Sequence, residues 1–263
     1  MDTAAVLFIS IPVVVVVSVA LIRAASRSHD PIPTLAASPH PDLARTSAAL
    51  SPVVRRSSLP ASGAVPALPA PNTRIRPAVG LTGTGLACFA VTWFFGGLLG
   101  VYLSTRAAYV SQTGDWFPGE STIDLAQPNV MALTLVMASF TIAWSVFAIA
   151  RDDRLNTYLS LAITMLLGVA YINQAFYLLN KTGLALNVGD GGAHPAAVLL
   201  YVVGVSHIAL LAAALIFALI VMIRALGGDY SSHDREGVLS SALFFHVTVA
   251  IYMVIWYAVY ITK

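Results

Sequence analysis

The chain is 263 residues long, with 58% hydrophobic and 10% charged residues, a mean hydropathy of +0.81, and 14 basic against 12 acidic side chains. Soluble domains carry roughly 25% charge, so this composition excludes a soluble globular fold and points to an integral membrane protein. No helix carries a basic face, which argues against nucleic acid as a partner, and the single cysteine, Cys88, excludes an internal disulfide or a cysteine-built metal site.

Residues 1–23 contain a valine-rich apolar stretch, Ala4 to Ile22, interrupted only by Ser10, Pro12 and Ser18. A secretory signal carries positive charge before its apolar part, whereas here Asp2 precedes and Arg23 and Arg27 follow. An uncleaved transmembrane anchor and an unusual signal peptide both remain open, and the flanking charges favour the anchor. Residues 24–79 hold ten of the 14 prolines among alanine and serine. Without apolar periodicity they cannot build a core, and they read as a disordered tether. A solvated linker is favoured there over a docking motif. Its arginines outnumber Asp30 and Asp42, which predicts a cytoplasmic location.

Residues 80–263 are expected to form a five-helix transmembrane bundle with spans at 80–105, 127–150, 155–179, 195–223 and 238–262. The second run is the clearest. It holds no charge and is closed by Arg151, Asp152, Asp153 and Arg154. At about 1.5 Å per residue it is long enough to cross a hydrocarbon layer of about 30 Å. The fold class is therefore all-α integral membrane. With the tether inside, the loops at 106–126 and 180–194 fall outside and those at 151–154 and 224–237 inside, which puts the carboxyl end outside the cell. The four arginines of the two inner loops, against Arg106 and Lys181 in the outer ones, agree with this orientation. Aromatic residues near the span ends, Tyr102, Tyr109, Trp116, Tyr158, Tyr201 and Tyr260 among them, suit interfacial anchoring. Gly96, Gly97 and Gly100, and the alanines at 209 and 212–214, would allow close helix approach.

No aspartate or glutamate lies within the five spans. Proton pumps and ion-coupled transporters need an acid at membrane depth, so a transporter is disfavoured. The remaining ionisable candidates are His207 and His246. His207 lies 17 residues before Arg224 and His246 eight residues after Val238, depths of about 25 Å and about 12 Å from the same side. A gap of about 13 Å is too large for two ligands of one iron or copper ion. Each histidine is thus expected to be a neutral, helix-locking group, with a lipid or subunit contact as the other reading. Ser139, Thr141 and Gln174 are expected to be interhelical contacts. No catalytic, metal or cofactor site is expected in the chain, and Gly189 to Gly192 reads as a turn.

The order of motifs then becomes recognisable. The first span ends Phe94-Phe95-Gly96-Gly97-Leu98-Leu99-Gly100-Val101-Tyr102, with Arg106 beyond it and Trp116-Phe117-Pro118 leading to the second. Ala138-Ser139-Phe140-Thr141 follows, then Thr164, Gly168 and Gln174, then His207, and finally Phe244-Phe245-His246 with Tyr252. Over residues 76–263 this resembles subunit III of haem-copper terminal oxidases, in the short five-helix form of actinobacteria. The family's acidic markers are replaced here: its Ser-Glu before Phe-Phe by Ala90-Val91, its glutamate of the third helix by Tyr177 or Leu178, and its aspartate after the last histidine by Val249. Its last-helix tryptophan becomes Tyr252, and of its histidine pair in the fourth helix only His207 remains.

The resemblance implies a non-catalytic subunit of cytochrome c oxidase in the plasma membrane. Such a subunit packs against the catalytic subunit and other oxidase subunits, holds phospholipids between its helices and supports proton uptake. Haem and copper are expected in the partner subunits and no cofactor in this chain. The same fold would also serve an accessory protein of nitric oxide reductase, or a free-standing membrane scaffold or assembly factor derived from subunit III.

Overall fold

A computed structural model describes residues 79–117, 123–182, 184 and 193–262. The expected anchor at 1–23 and the tether at 24–79, apart from Val79, lie outside the described residues. Among those residues the secondary structure is helical throughout. Five helices are long and apolar enough to cross a membrane: α1 (Val79–Thr113), α2 (Ala126–Ile149), α3 (Arg154–Lys181), α4 (Pro195–Leu226) and α5 (Glu236–Ile255), the last continued by a π-helical turn, Trp256–Ile261. In hydrocarbon every backbone N–H and C=O must be satisfied within its own segment, and the apolar runs meet that condition as helices.

The ends depart from the expected spans. Residues 106–113 belong to α1 and not to the following loop, giving a helix of 35 residues, about 52 Å long and therefore longer than the hydrocarbon layer. Arg106 does not interrupt the helix, and its guanidinium donates to the Thr262 hydroxyl at 2.9 Å. The helix stops at Gly114, whose φ of +86° suits a residue without Cβ and whose N–H bonds to the Val110 carbonyl at 2.9 Å. Likewise α4 runs to Leu226, three residues beyond the expected end, and is followed by Gly228 at φ +86°. The turn between α2 and α3 is four residues long. It places Asp152 at φ 56°, a conformation aspartate tolerates better than most. Asp153 then caps α3, its carboxylate accepting from the Asn156 N–H at 3.1 Å.

The fifth rod is the hub. In its most apolar window 78% of the residues are buried, against 22% for α1. It packs against α1, α2 and α4, while α3 bridges α2 and α4. The α1 helix contributes one narrow stripe, Cys88, Phe95, Leu99 and Tyr102, at the three- and four-residue spacing of a single helix face. Two of the glycines singled out in α1, Gly97 and Gly100, do not bring helices together. A Cβ at Gly97 or Gly100 would meet nothing within 4 Å, whereas one at Gly168 would collide with the Leu215 side chain of α4. Of the alanines at 209 and 212–214, only Ala214 is buried. Tyr102 and Tyr260 are buried inside the bundle, not held at a lipid boundary.

Candidate functional site

Polar groups at membrane depth must find partners inside the protein, because lipid tails offer none. Among the fully enclosed ones is His207, 1% exposed, on α4. Its Nε2 lies 3.1 Å from the Thr248 carbonyl oxygen of α5. A carbonyl only accepts, so Nε2 carries the proton and Nδ1 is the acceptor. The Tyr171 hydroxyl of α3 donates to Nδ1 at 2.9 Å. One neutral imidazole therefore ties three helices together. Tyr252 of α5 packs on both partners, with ring centroids 5.3 Å from His207 and 5.1 Å from Tyr171, and Phe95 brings α1 to the same point at 6.2 Å. The Tyr252 hydroxyl in turn donates to the Pro128 carbonyl of α2 at 3.2 Å. All five helices thus meet around this cluster. It borders a cavity of about 10 Å³ lined by His207, Tyr171, Tyr252 and Tyr260, room for about one water.

His246 stands apart from this cluster. Its Nδ1 lies 2.6 Å from the Ser139 hydroxyl of α2, and its ring is only partly enclosed. The two histidines share no partner. Among the described residues no group of three or more histidine, cysteine, aspartate or glutamate side chains is arranged to hold a metal ion.

The hydroxyl and amide residues singled out in the sequence are brought into separate contacts. Thr141 and Thr164 meet hydroxyl to hydroxyl at 2.8 Å across α2 and α3. Gln174 reaches Thr134 only loosely, at 3.4 Å. Trp116 lies beyond α1, folded back so that its indole N–H donates to the Tyr102 hydroxyl at 3.0 Å. Tyr109 packs edge-on to Trp116 with centroids 5.9 Å apart. His194, which sequence reasoning passed over as a loop residue, completes this group. Its Nδ1 accepts from the Ala196 N–H at 3.2 Å, which leaves Nε2 to donate to the Tyr109 hydroxyl at 2.9 Å. Its position immediately before Pro195 was the available signal, since the residue before an N1 proline caps the helix.

At the opposite end of the bundle the charges are turned toward the loops. The Asp152 carboxylate accepts from the Ser232 N–H at 2.6 Å. Hydrogen bonds from the Ser232 side chain and N–H to Asp152, and from the Asn156 side chain and N–H to Asp153, hold both carboxyls below the usual carboxylate range. Glu236 accepts from the Leu81 N–H at 3.0 Å and so joins the start of α5 to the start of α1. Burial raises the Tyr230 phenol above its ordinary value, with the nearby Arg224 partly offsetting the rise. The arrangement is a set of interhelical clamps distributed over the depth of the bundle.

No known protein-family profile matches the chain. Over 102 residues it is 32% identical to proteins described as probable cytochrome c oxidase subunit 3 in Mycobacterium bovis and in Mycobacterium tuberculosis. The matched stretch is 38% of this chain and 49% of each relative, so the chain spans about half the length of the curated relatives it matches. With its five membrane-spanning helices, the chain is a membrane protein distantly similar to these mycobacterial subunit 3 proteins.

Proposed function

We propose that the chain is a non-catalytic, subunit III-like component of a respiratory haem-copper oxidase, seated in the plasma membrane beside the catalytic subunit and stabilising it. The observation that carries this reading is the 32% identity over 102 residues to the mycobacterial subunit 3 proteins. The character of the polar groups supports it. Residues 238–261 and the four other spans hold no carboxylate, and His207, Tyr171, Thr141 and Thr164 make polar contacts between helices, as in a supporting subunit. In this reading haem and copper belong to the partner subunits. The four arginines at 151–154 and 224–235, against Arg106 and Lys181 toward the other end, support a cytoplasmic side for that end and an extracytoplasmic carboxyl end.

The test is purification of the full chain from its native membrane in mild detergent. Recovery in constant ratio with a haem-bearing subunit is the expected outcome, and the chain separated from that subunit should show no haem absorption. Purification without any oxidase subunit would overturn the reading. The scaffold alternative draws on the replaced acidic markers at Val91, at Tyr177 or Leu178, and at Val249. Deletion that leaves oxygen uptake and oxidase assembly unchanged would favour it.

A further inference from the structure

The hydroxyls of α2 mostly spend their proton on their own helix: Thr134 on the Val130 carbonyl, Thr141 on Ala138 and Ser145 on Ile142. Ser139 makes no such backbone bond among the described residues, and its hydroxyl lies 2.6 Å from His246 Nδ1. An Nδ1–H tautomer would strand both the serine proton and the Nε2 lone pair, whereas a serine that donates to Nδ1 strands only the Nε2–H. The contact is therefore assigned with Nδ1 accepting and the imidazole proton on Nε2. Among the described residues Nε2 has no acceptor, and the His246 ring reaches the surface of the bundle, unlike that of His207. His246 lies ten residues into the α5 span that begins at Glu236, a depth of about 15 Å. That is near the middle of a hydrocarbon layer of about 30 Å. Headgroups do not reach this depth and acyl tails carry no acceptor.

We infer that the seam between α2 and α5 at Ser139 and His246 is a docking surface for a transmembrane helix of a partner subunit, one that presents a hydrogen-bond acceptor at mid-membrane to His246 Nε2–H. The acceptor is a carboxylate, amide or hydroxyl side chain, or a carbonyl freed by proline. Beside the seam Phe140, Trp144 and Phe147 stand exposed by 66%, 42% and 59%. Their four- and three-residue spacing forms one continuous stripe of apolar knobs, the pattern one helix offers another. Half-buried Ala143 joins that stripe to Ser139 and leaves room for close approach. This inference rests on the proposed role as an oxidase subunit for the existence of the partner, and on the seam geometry for its place.

The experiment puts a benzophenone amino acid at position 140 of the full chain in native membranes, with His246 intact, and irradiates before detergent is added. An adduct with a separate co-purifying polypeptide is expected, its linked peptide lying in a transmembrane helix within one turn of an acceptor residue. Its yield, normalised to membrane-inserted chain, should fall about tenfold in His246→Phe and less in His246→Gln, which keeps a donor. Adducts with lipid alone, adducts within this chain, the apolar segment at 4–22 included, or a yield indifferent to His246→Phe would each overturn the inference. Co-purification with an oxidase but no adduct at the seam refutes the surface and spares the proposed function. The expected adduct with a polypeptide that belongs to no oxidase does the reverse.

Discussion

The Tyr171 hydroxyl points into the His207 ring and donates to Nδ1 at 2.9 Å. The other ring nitrogen is committed to the Thr248 carbonyl, so the imidazole has no second tautomer that would keep both bonds. His207→Leu leaves the Tyr171 hydroxyl and its share of the Thr248 carbonyl unsatisfied at full burial and should cost about 1–3 kcal/mol. Tyr171→Phe should cost about 1 kcal/mol. The double variant should fall short of their sum by about 1 kcal/mol, since both remove the same bond. Reversible unfolding of the four chains in mixed micelles gives the coupling, and strict additivity would show that the contact carries no energy.

Gly168 tests how closely α3 and α4 pack. A side chain there enters the space of Leu215, so Gly168→Val should destabilise by about 1–3 kcal/mol despite the general gain from removing a helical glycine. Adding Leu215→Ala opens that space and should recover part of the loss. The same unfolding measurement decides, and a Gly168→Val chain as stable as the parent would refute the close contact.

Trp116→Phe keeps most of the ring packing but removes the donor to the Tyr102 hydroxyl, a residue that is 0% exposed. A loss of about 1–2 kcal/mol is expected. Tyr102→Phe in the same chain removes the orphaned hydroxyl and should bring stability back toward the parent.

The loops at the Asp152 end should respond to acid. Both carboxyls sit below their ordinary value of 3.8 because the Ser232 hydroxyl and N–H donate to Asp152 and the Asn156 amide and N–H donate to Asp153. Their contribution is therefore fully present above pH 3.8 and is lost as the pH falls through the lower values of the folded chain. Hydrogen exchange at the Ser232 and Asn156 amides should gain little from acidification down to about pH 4. It should then lose protection relative to amides within α3. In Asp152→Asn the loss at Ser232 should no longer track pH.

Five helices were legible from the sequence because desolvation leaves an apolar run of that length little other choice. Their ends were less legible. Charge reports where water begins, and α1 continues past Arg106 into water until Gly114 turns the backbone. The polar residues were recognisable singly but not in their pairing. Thr134, Ser139 and Thr141 are near neighbours in sequence, yet at about 100° per residue Ser139 is turned away from the face that Thr134 and Thr141 share. Thr134 meets Gln174, Ser139 meets His246 and Thr141 meets Thr164. Which residue lies opposite depends on the rotation and register of two helices, and neither is written in one strand of text. Tyr171 carried a hint that went unused. A tyrosine well inside a span, away from the boundary where its hydroxyl would find water, needs a buried acceptor.

The hub of the bundle is also the last of its rods to be synthesised. When α1 to α4 have left the ribosome, the Thr248 carbonyl, the His246 ring and the Tyr252 hydroxyl that join them do not yet exist. Until α5 enters the bilayer, the first four helices have the α2–α3 hairpin, its packing on α4 and a smaller contact of α1 with α4. Assembly of the five-helix bundle thus waits for α5, and a ribosome that stalls before residue 236 releases four inserted helices without the rod on which α1, α2 and α4 pack.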